Sequence, residues 1–446
     1  MTFEDFNLPK SLFSALNDAN FTTPTTIQAR AYPFVMSGRD VLGIAQTGTG
    51  KTLAYLLPTL KQWKFSSEKA PTVLILVPTR ELVVQVVTAI QTLTKYMTVR
   101  VGGVYGGVGM PTHIALVEGG LDILVGTPGR LLDLSLKKVL RLNNIKKLII
   151  DEVDEMLDLG FRPQLARIFD LLPVKRQNIM FSATMTEPIE LIIHDYFNSP
   201  EKVEAAPTGT PLENIVQTAY HVPNFNSKVN LLKILLKDEE VMSKVLIFAS
   251  SKRLADQVWE AIGGGGFFSK IGIVHSGKTQ SARFGAVKQF HAGEFPVLVA
   301  TDLIARGIDI SEVSHVINFD LSDEPEAYMH RIGRTGRADK KGIAISLINT
   351  KEEEYQKAIE ALMNQAIEVL PHPADLVLSD VLTEDELPKK IIAATPYKIL
   401  KKDESNAAFH EKSDKNKKVN NKIRRTEKMM LKYGKKQTRG QKSKKK

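Results

Sequence analysis

The chain has 446 residues, 43% of them hydrophobic and 25% charged, and no cysteine, which excludes disulfides, thiolate nucleophiles and Cys-ligated metal sites. Its net charge of +10 is uneven: residues 389–446 hold 21 Lys and Arg against 5 Asp and Glu, while the remainder is mildly acidic. The length accommodates two domains, and no apolar run approaches the roughly 20 residues that a membrane span needs.

The polar, acidic start Met1–Lys10 does not read as a signal peptide. From there, short apolar runs alternate with longer amphipathic stretches. Asp40–Ile44, Val73–Val77, Ile123–Val125, Leu148–Ile150 and Ile179–Phe181 fall in the first half. Val245–Ala249, Val297–Ala300, Val316–Phe319 and Ile343–Ile348 fall in the second. Such runs between helical stretches predict buried parallel strands of an α/β fold. The Pro- and Gly-rich Glu204–Leu212 reads as the joint between two domains. The predicted division is a first domain over 1–205, a linker over 206–222, a second domain over 223–368 and a basic tail over 369–446. Gly263–Gly266 carries no phosphate motif around it and reads as a turn ending the Leu254–Ile262 helix. The tail's charge predicts self-repulsion, disorder and adhesion to polyanions, or a solubilising or addressing role.

Three segments carry chemistry. Ala45–Thr52 reads Ala-Gln-Thr-Gly-Thr-Gly-Lys-Thr between a strand and a helix, the setting of a phosphate cradle. Gly48, Thr49 and Gly50 bring backbone N–H groups to phosphate, Lys51 neutralises its charge, and the Thr52 hydroxyl suits Mg²⁺. Asp151-Glu-Val-Asp154 follows the strand Leu148–Ile150. Asp151 suits the same metal and Glu152 an attacking water, although acidic residues also begin helices. Tyr328–Arg337 packs three Arg, one His and two Gly into one stretch, a density suited to gripping phosphate oxygens.

With these motifs in order, the chain resembles the DEAD-box RNA helicases over about residues 1–350. The resemblance implies two tandem RecA-like domains with parallel sheets, closing on ATP, Mg²⁺ and RNA. It assigns Gln28, in Asn20–Gln28, to the adenine edge, and Phe3 to the adenine face, where an ordinary core contact is the alternative. It assigns Gly307 and Asp309, in Arg306–Asp309, to the nucleotide, and Arg334 and Arg337 to charge on the γ-phosphate. Asp154, Ser182, Thr184 and His330 would couple hydrolysis to closure, with the Ser182 and Thr184 hydroxyls bonding Asp154. Pro78, Thr79, Arg80, Gly106, Gly107, Thr127, Gly129 and Arg130 would hold RNA in the first domain. Gln280, Arg283, Thr301 and Asp302 would do so in the second. Phosphate and sugar contacts of this kind read no sequence.

Val153 replaces the Ala of the name-giving motif, and its two extra methyl groups predict a smaller neighbour. The expected activity is an RNA-stimulated ATPase that separates or remodels RNA duplexes, monomeric and cytoplasmic, with ribonucleoprotein association. An ATP-gated RNA clamp or annealing chaperone would carry the same motifs. A DNA translocase would lack the segment ending in Gln28.

Overall fold

The computed structural model describes residues 2–45, 48–204, 214–238, 240–263, 270–302, 310, 313–336 and 341–387. Among these, fourteen strands form two seven-stranded sheets, every pairing parallel. The first sheet holds β1 (Val41–Ile44), β2 (Val73–Leu76), β3 (Val101–Val104), β4 (Ile123–Gly126), β5 (Lys147–Ile150), β6 (Gln177–Ser182) and β7 (Glu201–Glu204). The second holds β8 (Ile215–His221), β9 (Val245–Phe248), β10 (Ile271–Val274), β11 (Val297–Ala300), β12 (His315–Asn318), β13 (Gly342–Ile348) and β14 (Glu368–Val369). We refer to the two halves as lobe 1 and lobe 2.

The strand orders are β3-β4-β2-β5-β6-β1-β7 and β10-β11-β9-β12-β13-β8-β14. Each strand of lobe 2 therefore stands where the strand seven earlier stands in lobe 1. Helices cover both faces, so central strands are apolar throughout. Val73 and Ile75 pack into one layer and Leu74 and Leu76 into the other. Val245 and Ile247 alternate with Leu246 and Phe248 in the same way. This two-sided burial is why the strands read as unbroken apolar runs.

Two stretches depart from the sequence reading. Ile215–His221, which falls within the predicted linker, is β8, a strand paired on both sides. Its central residues Gln217–Tyr220 are all buried, and the polar Gln217 and Thr218 among them, after a Pro- and Gly-rich stretch, hid the strand. Residues 371–387, predicted as the start of the tail, form a strap across lobe 2. The helix Phe225–Leu235 holds it by side-chain amides: Asn226 and Asn230 donate to the carbonyls of Val381 (2.7 Å) and Val377 (2.8 Å), and Asn224 to that of Ser379. Glu386 accepts from the Phe225 N–H at 2.6 Å, and Arg253 pairs with Asp385 at 2.9 Å. Residues 388–446 lie outside the described residues.

Candidate active site

Both sheets present their chemistry at the carboxyl ends of their strands, where α/β folds bind ligands. In lobe 1 the segment after β1 leads into the helix Lys51–Gln62. Gly50 caps it at φ 87°, and a Cβ there would lie 2.3 Å from Gln28 Nε2. Only glycine satisfies both conditions. The Gln28 amide donates to the Gly50 carbonyl (3.1 Å) and accepts from the Thr25 N–H (3.0 Å), while the Thr25 hydroxyl donates to the Thr49 carbonyl (2.8 Å). The segment predicted to read adenine thus also braces the phosphate loop. Phe3 lies in the apolar core with its edge to Phe6 (5.7 Å between centroids).

Lys51 begins the helix and is 6% exposed, and its ammonium makes no hydrogen bond among the described residues. Beside it, β5 ends in Ile150 and delivers Asp151, whose carboxylate accepts from the Tyr55 hydroxyl at 3.0 Å. Burial raises the Asp151 pKa, with Lys51 and the Tyr55 bond opposing. Glu152 adopts a left-handed backbone (φ 52°) and begins the helix Val153–Asp158, so helix start and site chemistry coincide. Burial pushes its carboxyl up to about 8, against the pull of Lys51. Its Oε2 is buried without a hydrogen bond among the described residues. A buried ammonium and carboxylate oxygen left without bonds are costly unless a ligand completes them. They fit a triphosphate and an attacking water. Among the described residues no group of three or more His, Cys, Asp or Glu could hold a metal. Asp151 offers one carboxylate, and Mg²⁺ needs one or two when phosphates supply the rest.

Asp154 accepts at Oδ2 from Ala183 N–H (2.9 Å), Thr184 N–H (3.1 Å) and the Thr184 hydroxyl (3.3 Å). Burial alone would raise its pKa, but His330, Lys51 and these N–H groups lower it on balance. Ser182 corrects the expectation. As the last residue of β6, it accepts from Ala45 N–H through its carbonyl (3.0 Å), and its buried hydroxyl bonds nothing among the described residues. The backbone after it, not its side chain, reaches Asp154.

Lobe 2 meets this cluster through the helix Pro325–Ile332 and the turn after it. His330 Nδ1 stands 3.4 Å from Glu155 Oε1. Arg334, 4% exposed, lies close enough to Glu152 for its charge to lower that carboxyl's pKa. Gly336 turns the chain at φ 65°, where a Cβ would meet Ile215 at 2.4 Å. Arg331 does something the motif alone does not suggest. It is 2% exposed and clasps Asp302 with Nε (2.6 Å) and a terminal N–H (2.7 Å), and donates to the Asp320 carbonyl (2.6 Å). It is an internal strut rather than a phosphate grip. Asp302, expected on RNA, spends both carboxylate oxygens on that strut. Arg337, Gly307 and Asp309 lie outside the described residues.

The predicted RNA residues of lobe 1 cluster after β2, β4 and β3, which are neighbours in the sheet. Pro78 and Thr79 follow β2, and Thr79 caps the helix Arg80–Leu93, accepting from Leu82 N–H at 3.3 Å. The Arg80 guanidinium lies over the Tyr105 ring at 4.6 Å, beside Gly106 and Gly107. Thr127 starts the helix Pro128–Leu136, whose first turn contains Gly129 and Arg130, and Arg130 donates to the Val108 carbonyl at 2.9 Å. In lobe 2, Gln280 opens the helix Gln280–His291 after β10, and Thr301 follows β11. Arg283 reaches across to Glu81 of lobe 1 at 3.0 Å, and both side chains are largely buried.

Residues 25–192 match the DEAD/DEAH box helicase family and residues 227–339 the helicase conserved C-terminal domain. The chain is 38% identical over 387 residues to ATP-dependent RNA helicase RhlB of Shewanella halifaxensis, covering 85% of this chain and 88% of that protein. It is 38% identical over 373 residues to DEAD-box ATP-dependent RNA helicase CshA of Bacillus subtilis, covering 84% and 74%. The chain belongs to the DEAD-box helicase family. Among solved structures, S. cerevisiae Dbp5 bound to RNA and ADP BeF3 matches with TM-score 0.74 at 28% identity, covering 83% of this chain and 95% of that one. A DEAD box protein from the hyperthermophile Methanococcus jannaschii matches with TM-score 0.52 at 34% identity, covering 83% and 99%. As in that family, the two sheets are tandem RecA-like folds.

Two residues of this DEAD-box site escaped the sequence reading. Tyr55 sits one helical turn after Lys51, a spacing that puts both on one face, and that was the available signal. Glu81 pairs with a residue about 200 positions away in the other lobe, and nothing local announces it.

Proposed function

We propose that the chain is an ATP-dependent RNA helicase, an RNA-stimulated ATPase that locally separates RNA strands. The observation that carries this reading is the buried Lys51 ammonium and Glu152 carboxylate oxygen, both without a hydrogen bond among the described residues, in a cluster that lobe 2 meets through His330, 3.4 Å from Glu155. Family membership and likeness to a protein holding RNA and ADP BeF3 support it.

In this reading Gly48, Thr49, Gly50 and Lys51 hold the triphosphate and Gln28 meets the base edge, while Phe3, 3% exposed, stays a core contact. The Thr52 hydroxyl and Asp151 would hold Mg²⁺, which would supply charge neutralisation at the phosphates. Glu152 orients water and takes its proton, for which a raised carboxyl pKa is suited. Arg334 stabilises charge that develops on the departing phosphoryl group, and Arg337 is assigned the same role. Asp154, gripped by Ala183 and Thr184, ties the pocket to His330 and so to lobe 2. Pro78, Thr79, Arg80, Gly106, Gly107, Thr127, Gly129 and Arg130, with Gln280 and Thr301, line the backbone path for RNA. The Arg283–Glu81 pair holds that path across the lobes. A strand bent to fit both lobes excludes a straight duplex partner. We also infer a cytoplasmic monomer acting on RNA without sequence choice. The absence of cysteine supports the compartment, and no helix among the described residues is long and apolar enough to cross a membrane.

The Glu152→Gln variant should bind ATP and RNA as the parent does while turnover falls by about 10²–10⁴-fold. Parent-like turnover would remove Glu152 from the mechanism.

A further inference from the structure

At the amino end of the lobe 1 sheet, on the side away from the nucleotide cluster, lies a cleft of about 670 Å³. It is walled by the segment after the helix Lys51–Gln62, the start of β2, and the turns that enter β5 and β6. None of its residues takes part in the site described above.

Its chemistry is one-sided. Lys64, Lys146 and Lys175 line it and are exposed, and Lys147 forms part of its floor. Among the described residues Glu68 is the one carboxylate in the lining, and it accepts a hydrogen bond from Asn144 at 3.1 Å. The Lys147 ammonium donates to Gln62 Oε1 (2.6 Å) and Gln177 Oε1 (2.5 Å), both neutral amides. A mostly buried cation met, among the described residues, only by neutral dipoles leaves positive charge uncompensated. Burial accordingly lowers its pKa to about 8. The Thr59 hydroxyl, from a residue 1% exposed that also lines the cleft, makes no hydrogen bond among the described residues. At the mouth stands Phe65, 69% exposed, beside the half-buried Trp63.

Lysines around an exposed aromatic ring match the combination by which single strands are held without sequence choice, with ammonium groups on phosphates and a ring under a base. A purely protein partner would not need four lysines against one carboxylate. We propose that this cleft is an accessory site for single-stranded RNA, in which Lys64, Lys146 and Lys175 hold phosphates and Phe65 stacks a base. It rests on the RNA-helicase reading and extends it. Strands of four residues at about 3.3 Å each set the amino and carboxyl ends of the sheet roughly 13 Å apart before loops are added. A strand leaving the interlobe path must therefore round the lobe to arrive here, so only long strands can use both sites.

The test compares a short single strand, which fills the interlobe path alone, with one several times longer, using the full chain with ADP and beryllium fluoride. The variant Lys64→Glu/Lys146→Glu/Lys175→Glu should lower the salt slope for the long strand by about 2, from three contacts at about 0.7 each. Phe65→Ala should weaken long-strand binding about tenfold. Short-strand affinity and melting temperature should be unchanged in both, and 4-thiouridine in the long strand should crosslink to the 63–65 segment. Long-strand affinity and salt slope equal to the parent's would overturn the proposal. So would a cleft that responds only to free AMP or to an acidic peptide. Short-strand stimulation of ATP hydrolysis reports separately: its absence in the parent protein would overturn the helicase reading itself, whatever the cleft does.

Discussion

Arg331 and Arg334 stand three residues apart in one motif, and the structure gives them opposite duties, so they should fail in opposite ways when each is replaced by Met. Arg331 is 2% exposed, clasps Asp302 at 2.6 and 2.7 Å, donates to the Asp320 carbonyl at 2.6 Å and lies over the Phe248 ring at 5.4 Å. Removing one partner of such a buried pair costs about 3–5 kcal/mol, because the other charge is left unpaired. Asp302 keeps 21% of its side chain exposed and can be partly rehydrated, which places the loss near the lower bound, about 3 kcal/mol. At about 2–4 °C per kcal/mol for a domain of this size, Arg331→Met should lower the melting temperature of lobe 2 by about 6–12 °C. Arg334→Met should leave melting unchanged and reduce ATP turnover by about 10³-fold or more. Differential scanning calorimetry of the full chain, run beside an RNA-stimulated ATPase assay, reads both. An Arg331→Met protein melting within about 2 °C of the parent, with turnover lost, would refute the division of labour.

Val153 is fully buried in the layer beneath the Asp151–Asp154 turn. Val153→Ala, which restores the family's usual residue, should cost about 2 kcal/mol in urea unfolding, from two lost methylenes plus a small cavity, with ATP turnover within a few-fold of the parent. A neutral or stabilising result would show that the surrounding layer had never adjusted to Val. Deleting 389–446, with its balance of +16, should weaken RNA binding and flatten its dependence on salt. An unchanged slope by fluorescence anisotropy would take the tail out of RNA binding.

What the sequence made legible was chemistry encoded within a few consecutive residues. Central strands such as Val73–Leu76 and Val245–Phe248 announce themselves because burial on both faces removes every polar position. The turn that delivers Asp151 and Glu152 follows such a strand directly. Strands of other character were lost: β3 because Gly102 and Gly103 break its apolar run, β7 because it is a charged edge, and β8 because turn-forming residues precede it. Residue type also misleads where the partner is remote. Three arginines in one motif look equivalent until Asp302 and Asp320 claim Arg331. Ser182 looks like a hydroxyl donor until strand alternation buries it. Contacts between the lobes, such as Arg283 with Glu81, depend on how two folded units meet, which no local pattern records.

The shared strand order has a consequence for stoichiometry. The place in lobe 2 that corresponds to the phosphate loop is the turn after β8, where Val222-Pro-Asn224 leads into the helix starting at Phe225. That turn has no glycine, and its first helical N–H is already bonded to the Glu386 carboxylate at 2.6 Å, itself fixed by Thr383 N–H and hydroxyl at 2.9 Å each. The duplicate cradle carries a built-in anion supplied by its own chain. Two folds of one strand order thus make an asymmetric device, one cradle open to a phosphate and the other already occupied by a carboxylate of its own chain.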